Sequence, residues 1–221
     1  MLKPPFGAVF DWDGVVINSE EYHRVGWERL ADEEGLVLPE GHFEKSFGRK
    51  NADIIPEILG WAHDEAKIEE LSFRKEEHYR TIVRERGIAA LPGVVPWLEA
   101  LVAAGVPCGI GSSAPRANID LSLGLIGCGK FFRTIVSAED VTRGKPAPDV
   151  FLAVAAQLGV PPNGCVVFED ALVGLEAARR GGMRRIAVAS TNPAALLAPH
   201  ADRVVARLDE LTVEELAAWF R

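Results

Sequence analysis

Short apolar runs recur along the chain and alternate with amphipathic stretches. The runs are GAVF at 7–10, VPCGIG at 106–111, RTIVSA at 133–138, GCVVF at 164–168, RRIAVA at 184–189 and DRVVA at 202–206. Their shortness and near-continuous apolarity are those of strands buried on both faces. Between them, PGVVPWLEALVAAG at 92–105 and PDVFLAVAAQLG at 148–159 carry the period of packed helices. The alternation predicts an α/β fold: a Rossmann-like parallel sheet covered by helices on both faces.

One stretch breaks this alternation. Residues 19–87 make up about a third of the chain but hold half of its charged side chains. Ser19 followed by Glu20 and Glu21, with Gly35 as a stop, predicts one helix. A second runs from about Asp64 to Arg86, with Ile68, Leu71, Tyr79, Ile82 and Val83 as its buried stripe. Because this segment separates the first strand from the second, it predicts a small α-helical cap domain over 19–87. The catalytic core is then residues 1–18 and 88–221.

Composition narrows the functional classes. With 24 basic and 32 acidic residues the chain carries a formal charge of −8, which disfavours nucleic acid and anionic membrane as partners. No apolar run reaches the ~20 residues of a spanning helix. The start MLKPPFGAVF lacks the pattern of a secretory signal, so a cytoplasmic location is expected, as a monomer or weak dimer. Cys108, Cys128 and Cys165 are odd in number and far apart, which reads as core packing rather than a disulfide framework or a metal site. There is no GxxxxGK[ST] nucleotide loop, and the five histidines have no metal-ligand spacing.

Candidate chemistry sits where open parallel sheets place it, beyond the carboxyl ends of the strands. Asp11-Trp12-Asp13-Gly14 follows the first run, Ser112-Ser113 the second and Glu169-Asp170 the fourth, and Lys145 lies in the loop after the third. Four carboxylates on one edge repel one another unless protons or a hard cation intervene. Oxygen-only ligands, few in number, with room for a phosphate oxygen, suit Mg2+. Lys145 adds a second positive charge for a phosphate, and Ser112 a hydrogen-bond donor. This set suits phosphoryl transfer to Asp11, with Asp13 as general acid and base. Trp12, alternating with the two acids, is expected to point the other way and pack.

The ordered set DWDG, GSSAP, RGKPAPD and VFEDA resembles the haloacid dehalogenase superfamily, in its helical-cap branch, and is most similar to the β-phosphoglucomutase-like phosphatases. The resemblance implies Asp11 as the residue phosphorylated, Asp13 as acid/base, and Ser112 and Lys145 as phosphate binders. It implies Mg2+ held by Asp11, the backbone carbonyl of Asp13, Asp170 and, directly or through water, Glu169. Halide displacement, the reaction that names the superfamily, needs neither a proton-donating Asp13 nor a magnesium site.

The cap is expected to choose the substrate. His23 and Trp27 share a helix face, and EYHRVGW is similar to the mutase-like branch, where the matching His and Trp flank the site. The loop FGRKNAD offers Gly48, Arg49 and Lys50 to a second anionic group, RKEEHY offers Lys75, and Ser113 and Ala114 complete the substrate candidates. A β-phosphoglucomutase resembles GVSR-E-D at this loop, with an Arg for the distal phosphate; GRKNAD lacks both that Ser and that Arg in place. The reading is therefore a Mg2+-dependent phosphatase of small phosphorylated metabolites, sugar phosphates first. A β-phosphoglucomutase is the alternative, and a non-catalytic binding module a more distant one.

Overall fold

A computed structural model of the chain describes residues 6–221; residues 1–5, at the start of the first expected core segment, lie outside the described residues. Each apolar run of the sequence becomes a strand: β1 (Gly7–Phe10), β2 (Cys108–Gly111), β3 (Phe132–Val136), β4 (Cys165–Glu169), β5 (Arg184–Val188) and β6 (Arg203–Val205). They form one parallel sheet in the order β3-β2-β1-β4-β5-β6, with β1 pairing Ala8 to Cys108 on one side and Gly7 to Cys165 on the other. β1 is thus a central strand whose neighbours lead away in opposite directions, and its carboxyl end lies at the switch point where such sheets bind ligands.

Residues 19–87 form α1 (Glu20–Glu34), α2 (His42–Ser46), α3 (Asn51–Ile54) continued by a π-helical turn (Ile55–Leu59), and α4 (Glu65–Arg86). Gly35 closes α1 in the left-handed region, and the Asp64 carboxylate caps α4 by accepting from the Lys67 N–H at 3.0 Å. Trp27, Leu30, Ile54, Ile55, Leu59 and Leu71 bury one another in a small apolar core distinct from that of the sheet. Of the expected stripe on α4, Leu71, Tyr79, Ile82 and Val83 are buried and Ile68 is partly so. The stripe also carries three charged groups, Lys75, Glu76 and Arg80, all buried.

The remaining helices are α5 (Val94–Ala103), α6 (Arg116–Ile126), α7 (Asp149–Leu158), α8 (Leu172–Arg180), α9 (Ala194–Leu197) and α10 (Val213–Ala218). They cover both sides of the sheet, which the alternation within β1 displays. Ala8 and Phe10 pack with Trp97, Leu98 and Leu101 of α5, whereas Val9 packs with Val150, Phe151 and Val154 of α7. Trp12 continues the Phe10 layer, fully buried with its ring against Phe132, as the alternation predicts. The chain enters and leaves the helical segment through two strips that touch, since Ile17 pairs with Ala90 and the Leu91 N–H donates to the Val16 carbonyl at 2.9 Å.

Candidate active site

The carboxyl edge of the sheet gathers residues from four segments. Asp11 follows β1, Ser112 follows β2, Lys145 lies in the loop between β3 and α7, and Glu169 is the last residue of β4, with Asp170 next to it. Glu169 and Asp170 precede α8, which begins at Leu172, so they are strand-end residues and not the first turn of that helix. All five are buried. The Lys145 ammonium lies 2.9 Å from Asp11 Oδ1 and 2.7 Å from Glu169 Oε1, with its charge over the Phe151 ring. Burial alone disfavours that ammonium, but the two carboxylates outweigh burial and hold its pKa above the ordinary value.

One ammonium does not balance three acids. Oxygens of Asp11, Glu169 and Asp170 all lie within 4.8 Å of one another. Burial, reinforced by the Glu169 charge and only partly offset by Lys145, pushes the Asp11 carboxyl up to about 8. Burial and the charges of Glu169 and Asp11 raise Asp170 well above the carboxylate range. Asp170 Oδ2 accepts from the Thr191 hydroxyl, while its Oδ1 is buried without any hydrogen-bond partner. A buried oxygen left unsatisfied among acids is what a cation-binding set looks like without its ion, so the residues present fit a hard divalent metal. The Asp13 side chain is not in this cluster. Its expected share in metal binding is through its backbone carbonyl, and its carboxylate turns the other way.

Two glycines keep the cluster tight. A Cβ on Gly14, at φ +74°, would sit 2.0 Å from Asp170 Oδ2, and one on Gly174 would sit 1.6 Å from Glu169 Oε1. Each position requires the missing side chain, so that loop and helix can press against the carboxylates. Glu169 Oε2 also accepts from the Ala171 N–H at 2.6 Å, which fixes the group from its other side.

Asp13 faces the helical segment. His23 Nε2 lies 3.1 Å from Asp13 Oδ1, and His23 Nδ1 lies 2.7 Å from Lys75 Nζ. An ammonium only donates, so Nδ1 accepts, Nε2 carries the proton and His23 donates to Asp13. Burial works against ionised Asp13, but its interaction with His23 outweighs burial, and the carboxyl is held below its ordinary range. The imidazole is stacked on Tyr79 with centroids 4.3 Å apart, and the Lys75 ammonium lies over the Trp27 ring.

A cleft joins the two sets. Asp11, Asp13, Ser112, Ser113 and Ala114 line its core side; His23, Trp27, Gly48, Arg49 and Lys75 line its helical side. Phe43, Ser46, Phe47, Asn51, Ile54 and Glu76 complete the wall. Ser112 Oγ accepts from the Ala114 N–H at 3.0 Å, which orders the loop and leaves the hydroxyl proton free to donate. Ser113 donates to the Gly48 carbonyl at 2.8 Å, a bond between core and helical segment. Lys50 departs from its expected place. Its ammonium donates to the carbonyls of Ala138 and Val141, both at 2.6 Å, and it does not line the cleft. Lys50 precedes α3 with extended backbone, which sends its side chain to the loop after β3 rather than toward Asp11.

Residues 7–182 match the family model described as haloacid dehalogenase-like hydrolase. The chain belongs to the haloacid dehalogenase-like hydrolases. Within this family it is 36% identical over 213 residues to the chloroplastic 5-amino-6-(5-phospho-D-ribitylamino)uracil phosphatase of Arabidopsis thaliana, covering 95% of this chain but only 56% of that protein. It is 31% identical over 216 residues to the β-phosphoglucomutase of Bacillus subtilis, covering 95% of this chain and 92% of that one. Its fold superposes on a haloacid dehalogenase hydrolase of Entamoeba histolytica with TM-score 0.87 and 27% identity, over 97% and 99% of the two chains. Among the described residues of this family member, no helix is long and apolar enough to cross a membrane.

The sequence missed Glu76, Asn51 and Thr191. Thr191 follows β5, so extending the strand-end rule to the fifth strand finds it. Glu76 looks like one more charge on a charged helix, yet it lies next to Lys75, which falls four residues from both Leu71 and Tyr79 on the buried stripe.

Proposed function

We propose that the protein is a Mg2+-dependent phosphatase of small phosphorylated metabolites, that Asp11 is its nucleophile, and that residues 19–87 act as a cap that selects the leaving group. The observation that supports this most is the cleft, which presents Asp11, Asp13 and Ser112 together at the end of the central strand. Asp11, Asp170, Glu169 and the Asp13 carbonyl are the groups that would hold Mg2+, which supplies charge neutralisation for the phosphoryl oxygens. Lys145 and Ser112 bind the same oxygens, and Asp11 attacks phosphorus to form an aspartyl phosphate; Asp13, held below its ordinary range in the free protein, must take up a proton as the substrate complex forms and then gives it to the departing oxygen. Asp13 then accepts a proton from the water that hydrolyses the phosphoenzyme. The cleft encloses about 60 Å3, against roughly 300–1,000 Å3 for small-molecule pockets. In this arrangement the cap is closed, and substrate admission requires it to swing away.

Phosphatase is favoured over mutase because the buried lysine of the cleft wall is already paired and an amide stands where the mutase-like pattern has its arginine. Arg49 pairs with Glu57, and Lys75 pairs with Glu76 at 2.8 Å. At the third position after Gly48, where the mutase-like pattern has Arg, Asn51 donates to Glu76 at 2.7 Å. A substrate carrying a second phosphate would meet an amide, not a guanidinium, at that position. Phosphate release screened over sugar, polyol and nucleoside monophosphates is expected to find turnover that needs Mg2+. Conversion of β-glucose 1-phosphate to glucose 6-phosphate, primed with the bisphosphate, is expected to be absent. Isomerisation faster than release would reverse the assignment.

Metal binding has its own readout. Raised native carboxyls bind protons that the unfolded chain has already lost, so between pH ~4 and about 8 the metal-free protein loses stability as pH rises. A divalent cation competes with those protons. The Tm gain on adding excess Mg2+ is therefore expected to be a few degrees at pH 8 and smaller at pH 5. An equal gain at both, or none, would contradict a site built on Asp11 and Asp170.

A further inference from the structure

Asn118 belongs to the core, in α6, which begins just after the Ser112–Ala114 loop, yet it reaches into the cap. Its Nδ2 donates to Glu76 Oε2 at 2.5 Å, and its Oδ1 accepts from Arg80 Nη1 at 2.8 Å. Guanidinium only donates and carboxylate only accepts, so these two partners fix the orientation of the amide. Asn118, Glu76 and Lys75 are each less than 5% exposed. Glu76 in turn accepts from Lys75 at 2.8 Å, Lys75 donates to His23 at 2.7 Å, and His23 donates to Asp13 at 3.1 Å.

The contacts thus make a closed circuit. They leave the core at Asn118, pass through α4 and α1 of the cap, and return to the core at Asp13. Both crossings, Asn118 to Glu76 and His23 to Asp13, span the surfaces that must part when the cap opens. Without Asn118 one oxygen of buried Glu76 loses its only partner, and charge-assisted bonds of this kind are the stronger and more directional ones. Glu76 can then turn, Lys75 follows it, and the hydrogen bond that fixes the tautomer of His23 is loosened.

We propose that Asn118 is a positioning residue: it is the core-side keeper of a latch that, on cap closure, sets His23 and through it the carboxyl of Asp13 for proton transfer to the leaving group. This rests on the reading of Asp11 as nucleophile and Asp13 as general acid. A loosened acid harms only substrates whose leaving oxygen needs a proton. An alkyl phosphate does, whereas p-nitrophenyl phosphate and acetyl phosphate do not.

The test is single-turnover phosphoryl transfer with Mg2+ for Asn118→Ala, for Glu76→Gln, which keeps the side-chain volume, and for Asp13→Ala. The substrates are the best alkyl monophosphate from the screen and the two activated phosphates. Both latch variants are expected to lose about 10- to 100-fold on the alkyl substrate and about twofold or less on the activated ones, as Asp13→Ala does more steeply. An equal loss on all substrates, or none, beside a selective loss in Asp13→Ala would overturn the latch and leave the phosphatase reading standing. If Asp13→Ala is itself unselective, the acid assignment falls and the latch with it.

Discussion

Replacing Asp11 with Asn is expected to lower phosphate release by about 10⁴-fold or more, with the fold intact. Asn has nearly the same shape, and its amide can still accept from Lys145 at the position of Oδ1, 2.9 Å away. What it cannot do is attack phosphorus. The variant also separates chemistry from electrostatics. Native Asp11 is pushed up to about 8 by burial, so an uncharged replacement relieves a cost that the wild type carries near neutral pH. The Asn variant is accordingly expected to be at least as stable as wild type in the absence of metal, when followed by denaturant unfolding. Substantial Mg2+-dependent turnover by this variant would remove Asp11 from the nucleophile's role.

Lys145→Met is expected to be damaging in both respects. The side chain is fully buried, and it is the common partner of Asp11 and Glu169. Removing one member of a buried ionic set costs about 3–5 kcal/mol, since the remaining charges must take up protons or rearrange. Activity should fall by about 10²- to 10³-fold, the scale for losing one preorganised electrostatic contact to a transition state. Excess Mg2+ is expected to restore part of the stability, because it supplies positive charge to the same carboxylates, but not the rate. Arg is no substitute, as its planar fork needs more room than the slot between the carboxylates and the Phe151 ring provides. A Met variant with wild-type unfolding free energy and rate would mean that the Lys145 contacts contribute nothing.

The sheet and the residues at its edge were legible because both follow from local pattern. A strand buried on both faces must be apolar, so a break into Asp-Trp-Asp, Ser-Ser or Glu-Asp at its end is conspicuous against four or five hydrophobic residues. Residues 19–87 were legible as helices and not as mechanism. Lys75, Glu76 and Arg80 are buried, yet on sequence they merge with the many solvated charges of α4. Their partners, Asn51 and Asn118, lie 25 and 42 residues from Glu76, and no local spacing announces such a pairing. Lys50 illustrates the opposite error. A lysine in a loop near the cleft suggests an anion site, but backbone direction sends its ammonium to two carbonyls of the loop after β3.

That backbone carbonyls satisfy Lys50, and a carboxylate pairs with Lys75, also bears on the specificity proposed for the cleft. On the proposed reading, aromatic and amide groups of the helical wall meet the leaving group. On that reading a second phosphate would compete with the Lys75–Glu76 pair, whereas a neutral polyol or sugar would not.

The most direct measurement of the central claim is to find where the phosphoryl group resides during turnover. The enzyme with Mg2+ and its best monophosphate is quenched in acid within a single turnover, digested and sequenced by mass spectrometry. The account predicts a labile phosphoryl mass on the peptide containing Asp11, assigned to Asp11 itself and absent from Asp11→Asn. A phosphoryl group found on Ser112 or any other residue, or full turnover with no phosphorylated peptide at any time, would contradict it.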